Sequence, residues 1–227
     1  EKDAEGVYRF YADDPNSPAG PDRVAYLAGK DATAKNIRRS ISNQLIKKSG
    51  PNDTVIFYYA GHGDTGTHPD LGSEYYLIPY DASADDLFAT AIEESEMKRF
   101  WRAISARRKI FLADCCNSGG FSTLRGAADS GFDEGMGEGS VVFCASKSGQ
   151  KSLELPELQH GLFTYYLLRG LTGEADGSLG GGKDTRVSVT ELKKYLDVNV
   201  PAKARSVGGN QIPVTKIEAT GEIYLTK

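Results

Sequence analysis

Two stretches carry residues whose types and placement suit nucleophilic chemistry. Lys109-Ile-Phe-Leu-Ala-Asp-Cys-Cys-Asn-Ser-Gly-Gly120 runs an apolar strand into a turn that bears two thiols. Val55-Ile-Phe-Tyr-Tyr-Ala-Gly-His-Gly63 is a second apolar, β-rich run, and it ends on a histidine flanked by glycines. In an open parallel sheet, reactive groups collect at the carboxyl ends of the strands. If the two strands are neighbours, a thiol and an imidazole reach one crevice. The imidazole would then stabilise the thiolate for attack on a carbonyl and later protonate the leaving amine. A free cysteine titrates near ~8.5, so such a partner raises its thiolate fraction at neutral pH.

Position alone does not choose between Cys115 and Cys116. Side chains alternate along a strand, so Asp114 and Cys116 share one side and Cys115 points to the other. Asp114 is expected at a strand end, where a buried carboxylate is costly unless it meets a cation, a metal or several donors. A zinc site built from His62 and the cysteines lacks any Cys-x-x-Cys or His-x-x-x-His spacing. Gly177-Ser-Leu-Gly-Gly-Gly-Lys183 has the spacing of a phosphate-binding loop, but Asp184 stands where Ser or Thr is needed and no apolar strand feeds it, so it reads as a turn.

The elements that position these groups follow from hydrophobic periodicity. Ala4, Val7, Tyr8 and Tyr11 mark a helix over residues 1–12. Val24-Ala-Tyr-Leu-Ala28 reads as a short strand, and Asp31 or Thr33 caps a helix carrying Ile37, Ile41, Leu45 and Ile46, stopped by Gly50-Pro51. The strand to His62 follows, then a strand or hairpin arm at Glu74–Tyr80, a helix from Met97 to Ile104 and the strand 109–114. Residues 121–139, rich in Gly, Ser and acids, read as a flexible linker before the strand Ser140–Ser146. A helix at Phe163–Leu171, a Gly-rich turn at 177–182, a helix from Thr190 to about Lys203 and an extended end at Glu222–Leu225 complete the chain. His68 falls in a polar loop. Strands alternating with helices predict an α/β fold with a mostly parallel sheet covered on both faces.

Composition bounds the function. At 227 residues with 39% hydrophobic content, one domain over 1–227 is expected. A formal charge of -4, with acids and bases interleaved, gives no basic stripe for nucleic acid. No apolar run approaches the roughly 18 residues that span a bilayer, so no membrane association is expected. Three cysteines, two of them adjacent, make no disulfide framework and fit a reducing, cytoplasmic compartment.

The pairing of YYAGHG with LADCCNSGG, followed by HGLFTYYLLRGL, VSVTELKKYL and Gln211-Ile-Pro213, resembles the caspase-like cysteine peptidases, most closely the prokaryotic metacaspase-type (orthocaspase) members. His62 stands 54 residues before Cys116, and in caspases the His lies about 50 residues upstream of the Cys. The resemblance implies a three-layer caspase-like fold with about six strands. It divides the chain into a larger-subunit-like region (1–120), the linker (121–139) and a smaller-subunit-like region (140–227). The family's sheet begins with a strand before the first helix, whereas this chain starts inside that helix, so either this sequence is expected to be a processed or trimmed fragment or the first strand is expected to belong to a separate piece.

The family's Asp-x-Cys-x-Ser-Gly pattern identifies Cys116 as the nucleophile, with His62 as its partner, and leaves Cys115 for packing. The Gly63 and Cys116 amides are the implied oxyanion donors. The family holds an arginine or lysine side chain between an acid at the position of Asp114 and one in the first helix, which Asp3 matches; two carboxylates facing a guanidinium grip it and reject an acidic residue. Protein or peptide substrates with Arg or Lys at the cleavage site are therefore implied. The third polar pocket residue is missing, since Ala60 stands there. His160 matches a family position without a catalytic role. Arg125 in the linker is the candidate for self-cleavage. No cofactor is expected, although Glu93 and Glu94 occupy a place comparable to the calcium ligands of some relatives. Regulated proteolysis, cell death or defence is the implied setting, with a regulatory partner or attached domain as a further expectation. A catalytically silent scaffold, or another peptidase of the same clan, are the competing readings.

Overall fold

The computed structural model describes residues 1–68, 72–115, 139–147, 150–180 and 182–227. A six-stranded sheet organises them, in the order β3-β2-β1-β4-β5-β6. Its centre is built from three β-branched and aromatic runs: β1 (Thr54–His68), β4 (Arg108–Cys115) and β5 (Ser140–Cys144). These pair in parallel, with Gly61 opposite Cys115 and Ala113 opposite Cys144. Strands buried on both faces read as continuous apolar runs rather than alternating ones, which is why β4 and β5 lack a polar face.

The parallel pairing expected for the sheet holds in this centre. The flanking pairs are antiparallel, so the sheet as a whole is mixed. On one side β1 continues as a hairpin with β2 (Gly72–Ile78), which in turn pairs with the two-residue β3 (Ile92–Glu93). On the other side β5 pairs with β6 (Val214–Ile217). On the edge facing β2, β1 is laddered only from His62 onward. His68 lies at the end of β1, opposite Gly72, and not in the loop expected for it.

Helices cover both faces. One face holds α1 (Lys2–Asp13), α5 (Leu162–Arg169) and α6 (Val189–Ser206), packed through Val7, Phe10, Phe163, Leu167, Leu192 and Leu196 against Ile110, Leu112, Val141 and Phe143. The other holds α2 (Ala34–Ser40) with its π-helical continuation Ile41–Ile46, and α4 (Glu94–Ala103). There Ile37, Ile41, Met97 and Trp101 pack against Val55, Phe111, Ala113 and Cys115. A short α3 (Leu87–Thr90) precedes β3. Each fully buried large apolar side chain contributes roughly 1.5–3 kcal/mol. The two cores therefore lock the strand register that the site depends on.

Local sequence explains the helix ends. Thr33 caps α2, its hydroxyl accepting from the Asn36 N–H. Ser188 and Glu191 form a capping box at the start of α6. The segment 24–28 is extended but joins no ladder, unlike the strand expected there; Tyr26 is held instead by stacking on Tyr8 of α1, with ring centroids 5.0 Å apart. The expected strand-like end at 222–225 makes, among the described residues, a single bridge, Tyr224 to Ser188, and the edge strand is β6. Gly139 turns the chain into β5 with φ +86, and a Cβ there would fall 1.7 Å from the Arg107 carbonyl oxygen, so no other residue fits.

Candidate active site

The two faces of β4 decide what its terminal residues can do. Ile110 and Leu112 belong to the core under α1, α5 and α6, whereas Phe111, Ala113 and Cys115 belong to the core under α2 and α4. Cys115 is 1% exposed, and its Sγ lies 3.4 Å from the Tyr75 hydroxyl. It faces away from Asp114 and serves as core packing. The other candidate nucleophile, Cys116, lies outside the described residues, as do Arg125 and 121–138 of the linker. In β1 the same alternation separates Val55, Phe57 and Tyr59 on the Cys115 face from Ile56 and Tyr58 on the Asp114 face. His62 shares parity with Tyr58 and is exposed at the carboxyl end of the β1–β4 ladder.

The backbone around His62 is held from behind. The Tyr59 hydroxyl donates to the carbonyls of His62 (2.9 Å) and Ile78 (2.8 Å), tying the histidine to the first residue pair of the hairpin. Gly63 has a structural reason beyond leaving space for a substrate. A Cβ at that position would lie 1.8 Å from the Tyr75 hydroxyl oxygen, so glycine admits the tyrosine that also contacts Cys115.

Asp114 is 6% exposed. Its Oδ2 accepts from the Thr164 N–H (3.2 Å) and from the Thr164 hydroxyl (2.5 Å). That hydroxyl in turn accepts from Tyr58 (2.6 Å). Burial pushes the Asp114 carboxyl up to about 6, Thr164 opposes the shift through its hydrogen bonds, and the negative charge of Asp3 adds to it. Among the described residues this buried acid has no ion pair and survives on neutral donors, one of them an N–H in the first turn of α5.

Asp3 arrives at the same place from the first turn of α1. Its Oδ1 accepts from His160 Nδ1 (2.8 Å) and from the Gly161 N–H (3.1 Å). Gly161 is the N-cap of α5 and has no side chain of its own to cap the helix. A Cβ on Gly161 would stand 3.1 Å from Asp114 Oδ2 and 3.3 Å from Asp3 Oδ2. Both carboxylates therefore converge on one point, steadied by the positive end of the α5 dipole. The sequence pairing of Asp3 with Asp114 corresponds to spatial neighbours. His160 and Thr164, which hold them, were not identified from spacing as part of the site; the signal was their place at either end of Gly161-Leu162-Phe163.

A paired-carboxylate pocket of this kind suits a cation with several donors. Glu93 and Glu94 have other partners. The Ser95 hydroxyl donates to Glu93 Oε2 (3.0 Å), and buried Glu94 pairs with Lys98 at 3.0 Å. Among the described residues no group of three or more His, Cys, Asp or Glu side chains is arranged to hold a metal. No helix among them is long and apolar enough to cross a membrane.

A family model described as caspase domain matches residues 22–224. The match begins beyond α1, so Asp3 stands outside it and is tied to the site by its contacts. Among solved structures, caspase-1 from Spodoptera frugiperda is similar, with a TM-score of 0.57 at 14% identity, covering 86% of this chain and 71% of that one. At that identity the likeness concerns the fold. No curated protein matches the sequence.

Proposed function

The chain belongs to the caspase-domain family of cysteine peptidases, and on that premise we propose that it is an endopeptidase of metacaspase type that cleaves protein substrates after Arg or Lys. Cys116 is the nucleophile and His62 its acid-base partner. The thiolate attacks the scissile carbonyl carbon, and the oxyanion takes hydrogen bonds from the Gly63 and Cys116 amides. Imidazolium then gives its proton to the departing amine, and water, deprotonated by His62, resolves the thioester. Asp3 and Asp114 hold the basic side chain on the amino side of the cleaved bond.

One observation carries this reading: the convergence of Asp3 and Asp114 on Gly161, on the face of β4 opposite Cys115. Cys116 follows Cys115 in the chain, and a trans peptide spans only about 3.8 Å between Cα atoms. Gly61 is paired with Cys115 at the last step of the β1–β4 ladder, so His62 and the residue after Cys115 each follow a member of that pair in the chain. The buried thiol of Cys115, engaged with Tyr75, is a poor competitor for the nucleophile's role.

Fluorogenic peptides ending in Arg, Lys, Asp or Asn, assayed with and without calcium, test the proposal. Arg and Lys peptides are expected to be cut, and Cys116→Ala is expected to abolish cleavage. Preferential turnover of Asp peptides would overturn the pocket assignment and leave the dyad intact. A regulatory role in cell death or defence belongs to the same proposal, and identification of cleaved cellular proteins tests it.

A further inference from the structure

Of the two pocket acids, Asp114 is fixed by its strand, whereas Asp3 sits on a helix and must be aimed. Its side chain is 20% exposed, and a free aspartate there has several rotamers open to it. The group that holds it comes from 157 positions away, His160 Nδ1 at 2.8 Å from Asp3 Oδ1. A carboxylate only accepts hydrogen bonds, so the contact puts a proton on Nδ1. The ring has a prepared seat. Gly6 lies one turn beyond Asp3 on the same face of α1. A Cβ at Gly6 would come within 2.9 Å of His160 Cε1, 2.9 Å of Leu168 Cδ1 and 3.4 Å of His160 Nε2, so the ring and Leu168 share this seat. Glycine in a helix interior is destabilising relative to alanine, and the imidazole resting on bare backbone gives it a reason to be there.

We propose that His160 is a positioning residue for basic-side-chain recognition, clamping Asp3 Oδ1 so that Oδ2 faces Gly161 and Asp114 as the second arm of the pocket. The inference rests on the reading of Asp3 and Asp114 as that pocket and adds the element that determines its geometry. The division of labour follows from the contacts. Oδ1 takes the ring donor at 2.8 Å and the Gly161 N–H at 3.1 Å, while among the described residues Oδ2 has only the longer contact to that same N–H at 3.3 Å. Oδ2 is thus the oxygen left with acceptor capacity for a guanidinium or ammonium. Without the imidazole, Asp3 loses its strongest hydrogen bond, and substrate binding must supply the ordering of the side chain.

Steady-state kinetics with Arg peptides on His160→Ala, His160→Asn, Asp3→Asn and the double variant Asp3→Asn/His160→Ala decide the matter. Asparagine presents an amide donor near the place of Nδ1. His160→Ala is expected to raise KM about tenfold, equivalent to about 1.4 kcal/mol, with kcat within about twofold. His160→Asn is expected to restore most of the loss, and His160→Ala to add nothing in the Asp3→Asn background. Gly6→Ala, whose methyl presses on both the ring and Leu168 while leaving His160 in the chain, is expected to reproduce the KM rise, with unfolding in denaturant followed alongside to separate the Leu168 contact, and serves if His160→Ala fails to fold. Agmatine affinity, measured calorimetrically in the Cys116→Ala background, gives the same readout without turnover. A fall in kcat at unchanged KM, equal damage from Ala and Asn, or a full His160→Ala effect without the Asp3 carboxylate overturns the inference. A raised KM in Asp3→Asn with normal KM in His160→Ala refutes this role alone; normal KM in Asp3→Asn refutes the pocket as well.

Discussion

Replacing Asp114 by asparagine separates two properties that the proposed pocket would couple, the stability of the empty protein and the affinity for a cation. Burial, opposed by Thr164 and reinforced by Asp3, moves the Asp114 carboxyl from its ordinary 3.8 to about 6. Each pKa unit corresponds to about 1.4 kcal/mol, so the ionised form costs ~3 kcal/mol in the unliganded fold. The sign follows from proton counting. Between about pH 4 and about pH 6 the folded chain keeps a proton that the unfolded chain has released. Stability therefore falls as pH rises through that window and stays reduced above it. Asparagine accepts from Thr164 as before and has no charge to desolvate. In the Cys116→Ala background, which removes self-digestion, Asp114→Asn is expected to raise stability at pH 7.5 by up to ~3 kcal/mol, or the thermal midpoint by roughly 6 °C. The gain is expected to vanish near pH 4. The same substitution is expected to weaken agmatine binding at pH 7.5 at least tenfold, because a carboxylate is lost from the cation's partners. Thermal and urea unfolding at the two pH values, with calorimetric binding, measure both effects. A variant that is less stable than its parent at pH 7.5 refutes the reasoning, since the carboxylate would then be stabilised and not strained by its surroundings.

Other outcomes follow from the same geometry. Cys115→Ala is expected to retain proteolysis while losing about 1 kcal/mol or more of stability in denaturant, because its sulfur fills core space beside Tyr75; abolished turnover with normal stability would contradict its packing role. Gly63→Ala is expected to cost roughly 1–3 kcal/mol, from the collision of the new methyl with the Tyr75 hydroxyl, and to disturb the hairpin at His62; unchanged stability and kinetics would remove the reason given for that glycine. Arg125→Gln is expected to prevent an intact-mass change on incubation that the active parent undergoes and Cys116→Ala does not; cleavage of Arg125→Gln at the same place would dismiss Arg125 as the self-processing point.

The centre of the fold was legible because β1, β4 and β5 contain apolar runs of strand length. Parity along β4 assigned Cys115 and Asp114 to opposite faces before any coordinates, and the two cores agree with that division. Other features depend on neighbours that periodicity does not contain. The polar segment that holds His68 reads as a loop, yet it continues as a strand because β2, with Tyr75 and Tyr76, lies opposite it in the hairpin. Val24–Ala28 has strand composition but no ladder, and stacking of Tyr26 on Tyr8 holds it. The edge strand Val214–Ile217 is four residues long and follows a proline, too short for a reliable pattern. Family resemblance pairs Asp3 with Asp114 but gives His160 no catalytic role. The His160 hydrogen bond spans 157 positions of the chain, and the glycine that seats the ring carries no side chain to signal a contact.

The central claim is that the thiol of Cys116, partnered by His62, serves a pocket selective for a cationic side chain. Labelling with a peptidyl-arginine chloromethyl ketone, located by peptide mass spectrometry, tests it most directly. The account predicts a single adduct on Cys116 that is slowed strongly in His62→Ala, competed by agmatine, and absent with the aspartate analogue of the reagent. An adduct on Cys115, or equal labelling by the aspartate reagent, would contradict it.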